Sequence, residues 1–396
     1  MLIDNGRQCI LEIVDDLMIP HIFNFIITIF VMKNNLLLVL FAALIYCFIT
    51  PPKVNAQAVT EVSNSAKSKG IFETDSVLEL RISGPVRDLL SDRESASPYH
   101  NFNISYHDAS GKEIMVAAEI KTRGHFRKMK ENCAYPPLLL HFPNNDNSSD
   151  MLFKKNSKLK LGMPCRGDEY IIKEWLAYKL YNLITPKSFR ARLVKVILDD
   201  ERRKKTIAPF YGLLIEDIQE VAARNNVVSV NKKLRPEQTD TKSFLTMAVF
   251  EYLIGNTDWS VQYLQNIKLL ASDSNAVPIT VPYDFDMSAI VGTPYAKPAE
   301  ELNLNSVYER RYRGYCISDM KKYEEVIELY NSLKKQMYDL YINCPLLQEA
   351  YIKSTIKFLD QFYATINNAD ALKKKFGYPC DPKGTGNIVI KGLRED

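Results

Sequence analysis

The sequence predicts an α+β protein of two lobes, a β-rich first half followed by a mainly helical second half. Short β-type runs separated by turn residues recur from Val77 to Ile215, with one helical pattern among them. From Thr241 onward, apolar residues return at three- and four-residue spacing, the period of an amphipathic helix. No internal repeat accompanies either pattern.

The elements follow in order. Residues 57–76 are polar and rich in small side chains, a linker. Strands are expected at Val77–Ser83, Asn103–His107, Met115–Lys121 and Pro137–Phe142, with a turn-rich loop at Asn144–Asp150 and a further strand around Lys158–Leu161. Ile172, Leu176, Leu180 and Leu183 then form a helical stripe, with Ile171 and Trp175 beside it. Asp168 is its expected N-cap, and Pro186 lies just past its end. Strands resume at Arg192–Leu198 and Pro209–Ile215, joined by the charged turn Asp199–Lys205. Phe244, Ala248 and Tyr252, with Leu245, Val249 and Leu253 alongside, mark a helix that stops at Gly255. A short β pair follows at Asn266–Leu270 and Pro278–Val281, and two long amphipathic helices close the chain around Lys321–Tyr341 and Leu346–Ile366. The expected division is therefore a β-rich lobe over 77–220, a connecting segment over 221–240 and a helical lobe over 241–396.

The N-terminal region reads as an export signal. After Met32 come Lys33-Asn34-Asn35, an unbroken apolar run Leu36–Ile49, and Val54-Asn55-Ala56 with small residues at the −3 and −1 positions of a cleavage site. The run is shorter than the roughly 20 residues a membrane span needs. Residues 32–56 are thus expected to be a cleavable signal peptide, and residues 1–31 a mis-called upstream extension ahead of the true start. The expected location is secreted or periplasmic, with no stable transmembrane segment after cleavage. A formal charge of +4 is too small to argue for nucleic acid. The basic clusters Lys121–Lys130, Arg202–Lys205 and Lys373–Lys375 read as solvated faces, while Arg310–Arg313, set among tyrosines, reads either as a basic helix end or as a phosphate or carboxylate contact.

Beyond the signal the cysteines are Cys133, Cys165, Cys316, Cys344 and Cys380, an odd set without C-x-x-C spacing. Cys133 and Cys165 flank strands and are expected to pair, the alternative being two buried free thiols. Zinc binding at His125, Cys133 and His141 is disfavoured, because these residues span a turn between two strands.

The chemistry-bearing stretch is Gly255-Asn256-Thr257-Asp258-Trp259, then Asn266, then Pro282-Tyr283-Asp284-Phe285-Asp286. Asp258 lies in a loop after a helix, Asn266 opens a strand, and Asp284 and Asp286 end the next one. A hairpin would gather these oxygens at one cleft, an oxygen-only set suited to magnesium or manganese. Asp and Asn are also common in turns for local reasons, so the order of the residues carries more than any one of them.

This stretch resembles the active-site region of atypical protein kinases of the spore-coat CotH type. Lys121-Thr122-Arg123-Gly124 and Tyr211-Gly212-Leu213-Leu214-Ile215-Glu216 resemble other parts of that family, and the similarity runs from about Val77 to Tyr295. It implies a kinase-like bilobal fold, with Asp258 as catalytic residue and Asn266, Asp284 and Asp286 on the metal. ATP or another nucleotide would be held by Lys160, by Glu174 or Glu169 as the partner of that lysine, and by the backbone after Glu216. The sequence departs from the family at Ala134-Tyr135-Pro136-Pro137, where the usual phosphate-binding lysine is missing, and in lacking a glycine-rich phosphate loop. The implied function is an exported phosphotransferase acting on a protein or other hydroxyl acceptor. The competing readings are an inactive binding or structural protein and, more remotely, a hydrolase using Asp258 and Asp284 as paired carboxylates. Acceptor and oligomeric state are not legible.

Overall fold

The structure, a computed structural model, describes residues 70–143, 152–153 and 157–383. The expected signal peptide, the segment before it, most of the 57–76 linker and the loop Asn144–Asp150 lie outside the described residues.

Seven strands form a closed barrel: β1 (Leu78–Gly84), β2 (His100–His107), β3 (Glu113–Thr122), β4 (Leu138–His141), β5 (Lys158–Gly162), β6 (Ala191–Asp200) and β7 (Lys205–Ile215). Their order around the barrel is β1-β2-β3-β4-β5-β7-β6, and the ring is closed by parallel pairing of β1 with β6, from Leu78 against Val194 to Gly84 against Asp200. All other neighbours run antiparallel. Successive side chains of a strand point to opposite faces. Leu159 and Leu161 therefore enter the interior with Leu80, Ile104, Ile120 and Leu138, whereas Lys158 and Lys160 stand on the outer wall. Each such apolar side chain contributes about 1.5–3 kcal/mol on burial. A short helix, α1 (Val86–Ser91), follows β1.

Helix α2 (Asp168–Ile184) leaves the barrel after β5. Gly167, not Asp168, occupies its N-cap position, and Asp168 begins the first turn. Its buried residues, among them Ile171, Leu176, Tyr178 and Leu180, join a second core with Phe250, Leu253, Tyr330 and Phe362. Helix α3 (Ile218–Arg224) is capped by the Asp217 side chain, which accepts from Gln219 N–H at 2.9 Å. Strand β8 (Val228–Val230) precedes α4 (Thr241–Ile254), which Asp240 caps by accepting from Ser243 N–H at 2.8 Å.

Gly255 ends α4 with φ +67°, and an added Cβ would lie 2.7 Å from the Cβ of Ala289. Both its backbone and its surroundings exclude a side chain. Strands β9 (Ile267–Ala271) and β10 (Ile279–Pro282) complete a three-stranded sheet in the order β10-β9-β8. Helices α5 (Glu324–Ile342), α6 (Glu349–Ile366) and α7 (Ala369–Phe376) follow.

This arrangement overturns the kinase-like bilobal fold that the sequence suggested. The first-half strands close on one another as a seven-stranded mixed barrel. Nor is the second half a helical lobe, since it carries its own sheet, and α2, from the first half, packs into the same core as α4, α5 and α6. The described residues belong to one compact unit, Lys67–Asp396. Among them, no helix is long and apolar enough to cross a membrane.

Among the described residues two disulfides are present. Cys133 pairs with Cys165 as expected, with Cα atoms 4.6 Å apart, and Cys316 pairs with Cys380 across a sequence separation of 64. Cys344 is free.

Candidate active site

The expected residues meet where the outer wall of the barrel faces the loops of the second sheet. Gly255 turns the chain out of α4 into the loop that carries Asp258. Asn256 Oδ1 accepts from Asp258 N–H at 3.0 Å, shaping that loop. Arg313 braces it from behind, donating from Nη1 to the carbonyls of Thr257 and Trp259, each at 2.5 Å. The Asn266 side-chain amide donates to the Asp258 carbonyl at 2.7 Å and to its Oδ2 at 3.1 Å, while Gln265 Nε2 donates to Oδ1.

Two of the residues sit in the left-handed region, Asn266 at φ +52° and Asp284 at φ +64°. Asn and Asp tolerate that region better than other side chains. Asp284 N–H donates to the Tyr178 hydroxyl of α2 at 2.9 Å, which ties the end of the second sheet to the helix behind it. Asp286 is buried; its Oδ2 accepts from Tyr295 OH at 2.9 Å and lies 3.5 Å from Arg127 Nη1. Glu174, also buried, lies 3.8 Å from the same Nη1.

Charge in this cluster is unevenly matched. Burial, then the neighbouring Asp284 charge, pushes the Asp258 carboxyl up to about 6, against the opposing pull of Arg313 and the Asn266 amide. The same two causes raise Asp286, and burial with Asp286 raises Glu174. Burial works against the Arg127 charge, but Tyr295, Asp286, Glu174 and Asp284 outweigh it and hold the guanidinium more firmly protonated. On the barrel side, burial and the cations Arg123 and Lys268 push the Lys160 amine down to about 8, with Asp284 and Asp217 opposing.

Asp258, Asn266, Asp284 and Asp286 thus share one neighbourhood with Lys160. Glu174 shares it too, but its cationic partner is Arg127, and the carboxylates acting on Lys160 are Asp284 and Asp217. Glu216 plays a different part. It is buried at the end of β7, where Oε1 accepts from Arg190 Nε at 3.2 Å and Arg224 Nε at 3.0 Å, and Oε2 accepts from Arg190 N–H at 2.9 Å and Arg224 Nη2 at 3.1 Å. Its side chain is spent on holding the strand end to the segment before β6. Arg310 is likewise structural, donating to the Leu253 and Phe358 carbonyls.

Arg127, Tyr178 and Tyr295 were not singled out from the sequence; Arg313 was, within the cluster Arg310–Arg313, and it braces the Asp258 loop through backbone carbonyls. Arg127 sits in the run Lys121–Lys130, which reads as a solvated basic face, and no periodic signal separates it from its neighbours. A narrow cavity lined by Arg127, Glu174, Asp286 and Tyr295 has room for about one water molecule. A larger ligand has to approach from the side of Asp284 and Lys160, which are half-buried.

The chain matches no protein-family model and no curated protein.

Proposed function

We propose that the protein is an exported phosphotransferase, using ATP or another nucleotide with magnesium or manganese to phosphorylate a protein or other hydroxyl acceptor. The observation that carries this reading is the burial of Asp258, Asp286 and Glu174 around Asp284 beyond what the adjacent cations offset, so that their protons are held above the usual carboxylate range. Such a cluster favours an added cation, and perturbed carboxyls grouped in a cleft mark functional sites more often than other places. The oxygen chemistry of Asp284, Asp286 and Asn266 fits a hard divalent ion. Among the described residues no three His, Cys, Asp or Glu side chains converge as a ready-made cage. Asn266, phosphate oxygens and water would have to complete the ligand set.

When bound, the ion would neutralise charge on the transferred phosphoryl group. Asp258, fixed by Asn266 and Gln265 on a loop braced by Arg313, orients the acceptor hydroxyl and receives its proton. Lys160 steadies the phosphates from the barrel wall. The order Asp258, Asn266, Asp284, the one the resembled kinase family uses, supports these roles independently of any bilobal fold. The two disulfides support export, since such bonds persist in oxidising compartments.

The test separates binding from chemistry. Asp284→Asn is preferable to Ala, because Asn tolerates φ +64°. It should abolish metal-dependent nucleotide binding in a thermal-shift or calorimetric titration. Asp258→Ala should bind nucleotide nearly as the parent does and lose transfer, as expected of a role in the chemical step. If both variants bind like the parent, and the parent phosphorylates no acceptor tried, the enzyme reading fails and a binding role replaces it.

A further inference from the structure

Lys160, which faces the phosphates in the reading above, has cationic neighbours around Tyr283. Lys160 Nζ lies 5.1 Å from the centroid of the Tyr283 ring, and Lys268 Nζ lies 5.6 Å from the same centroid. The two ammonium groups come from different sheets, one from the outer wall of the barrel and one from β9, and they meet at the residue next to Asp284.

Arg123 belongs to the same wall. Lys121 pairs across from Leu139, and Leu139 from Lys160, so the three form one outward row over β3, β4 and β5. Arg123 stands two residues beyond Lys121 and continues the ladder by donating its N–H to the Pro137 carbonyl at 2.9 Å. Residues two apart share a face, so Arg123 projects on the Lys160 side, and its charge acts on Lys160 together with that of Lys268.

Like charges crowd at this half-buried site; Asp284 and Asp217 offset them in part, and a further anion would complete the balance. We propose that Lys160, Lys268 and Arg123, arranged about Tyr283, form a subsite for the polyphosphate chain of a nucleotide. The assignment rests on the phosphotransferase reading only for the nucleotide; the anion site stands on its own geometry. Placed beside Asp284, it puts phosphate oxygens where the metal ligands need them.

The experiment titrates the full chain with inorganic tripolyphosphate, ATP and adenosine in EDTA, by calorimetry at low and high salt. Tripolyphosphate and ATP should bind and weaken as salt rises, and adenosine should not bind. Lys268→Gln should weaken tripolyphosphate roughly tenfold, the loss of one charge-assisted contact, and Lys268→Arg should restore most of it. Lys232→Gln, at an exposed lysine bonded to the Ser274 carbonyl, should bind like the parent. The triad is overturned if tripolyphosphate does not bind, if a correctly folded Lys268→Gln protein binds it like the parent, or if adenosine binds as well as ATP. Because this titration uses no metal and measures no turnover, its failure overturns the anion site alone, whereas the enzyme reading falls by the Asp284 and Asp258 variants and the transfer assay even where Lys268-dependent binding upholds the anion site.

Discussion

Replacing Asp258 with Asn should stabilise the metal-free protein at neutral pH. The Asp258 carboxyl is held at about 6, raised from 3.8 by burial and by the charge of Asp284. A group whose folded pKa is raised favours the fold while protonated. Its contribution is lost as pH rises from the unfolded value through the folded one, here from about 4 to about 6. Above that window the ionised carboxylate costs up to about 3 kcal/mol, at about 1.4 kcal/mol per pH unit. Asn removes the charge but offers one oxygen where the carboxylate accepts from both Gln265 and Asn266, a loss of about 1 kcal/mol. The net gain is about 2 kcal/mol, or a Tm rise of roughly 4 °C for a chain of this size.

Calorimetric melts in EDTA between pH 4 and pH 8 would show it. The variant should match or fall slightly below the parent at about pH 4, gain through the window and level off above about pH 7. Adding magnesium with nucleotide should stabilise parent and variant nearly alike, because Asp258 acts in the chemical step and not in binding. A variant that melts below the parent at neutral pH, or a difference that does not change with pH, would refute the electrostatic account of this site.

Glu216→Ala leaves Arg190 and Arg224 without their shared carboxylate, and urea denaturation should show a loss of about 3–5 kcal/mol; a loss under about 1 kcal/mol would mean that the buried pair is not formed. Cys133→Ser opens a bridge of sequence separation 32 and should cost about 3–4 kcal/mol under non-reducing conditions. Arg313→Ala removes the brace on the Asp258 loop and should destabilise by about 3 kcal/mol. Combined with Asp258→Asn, its effect should depart from additivity in a double-mutant cycle, because the two charges act on each other. Strict additivity would show that the brace and the carboxylate are independent.

Local rules already placed much of this molecule in the sequence. Alternation located β1 to β7 to within a few residues, except that β2 begins at His100 and β7 at Lys205, where the hairpin edges extend past their apolar residues. Helical spacing located α2, α4, α5 and α6. Strand β8 and helices α1, α3 and α7 are short, and elements of that length carry too few turns or alternations to register as a period. The grouping of Asp258, Asn266 and Asp284 was legible because a helix stop and a hairpin bring them together over a short stretch of chain.

Partner choice across long separations was not legible. Nothing in the alternation of β1 specifies that it pairs in parallel with β6, more than a hundred residues on, and that one pairing turns an open sheet into a closed barrel. The stripe of α2 states that the helix is buried, but not that it is buried against α4 and α5 instead of the strands that flank it in sequence. Arg127 looks in the sequence like any other member of a basic run. It becomes the buried counter-ion of Asp286 and Glu174 only because the chain after β3 is folded back beside α2 and held there by the bridge from Cys133 to Cys165. Periodicity and turn chemistry act over a few residues and are written in them. Strand order, core sharing and the pairing of buried charges depend on which distant surfaces exclude water together, and that is decided only when the whole chain has collapsed.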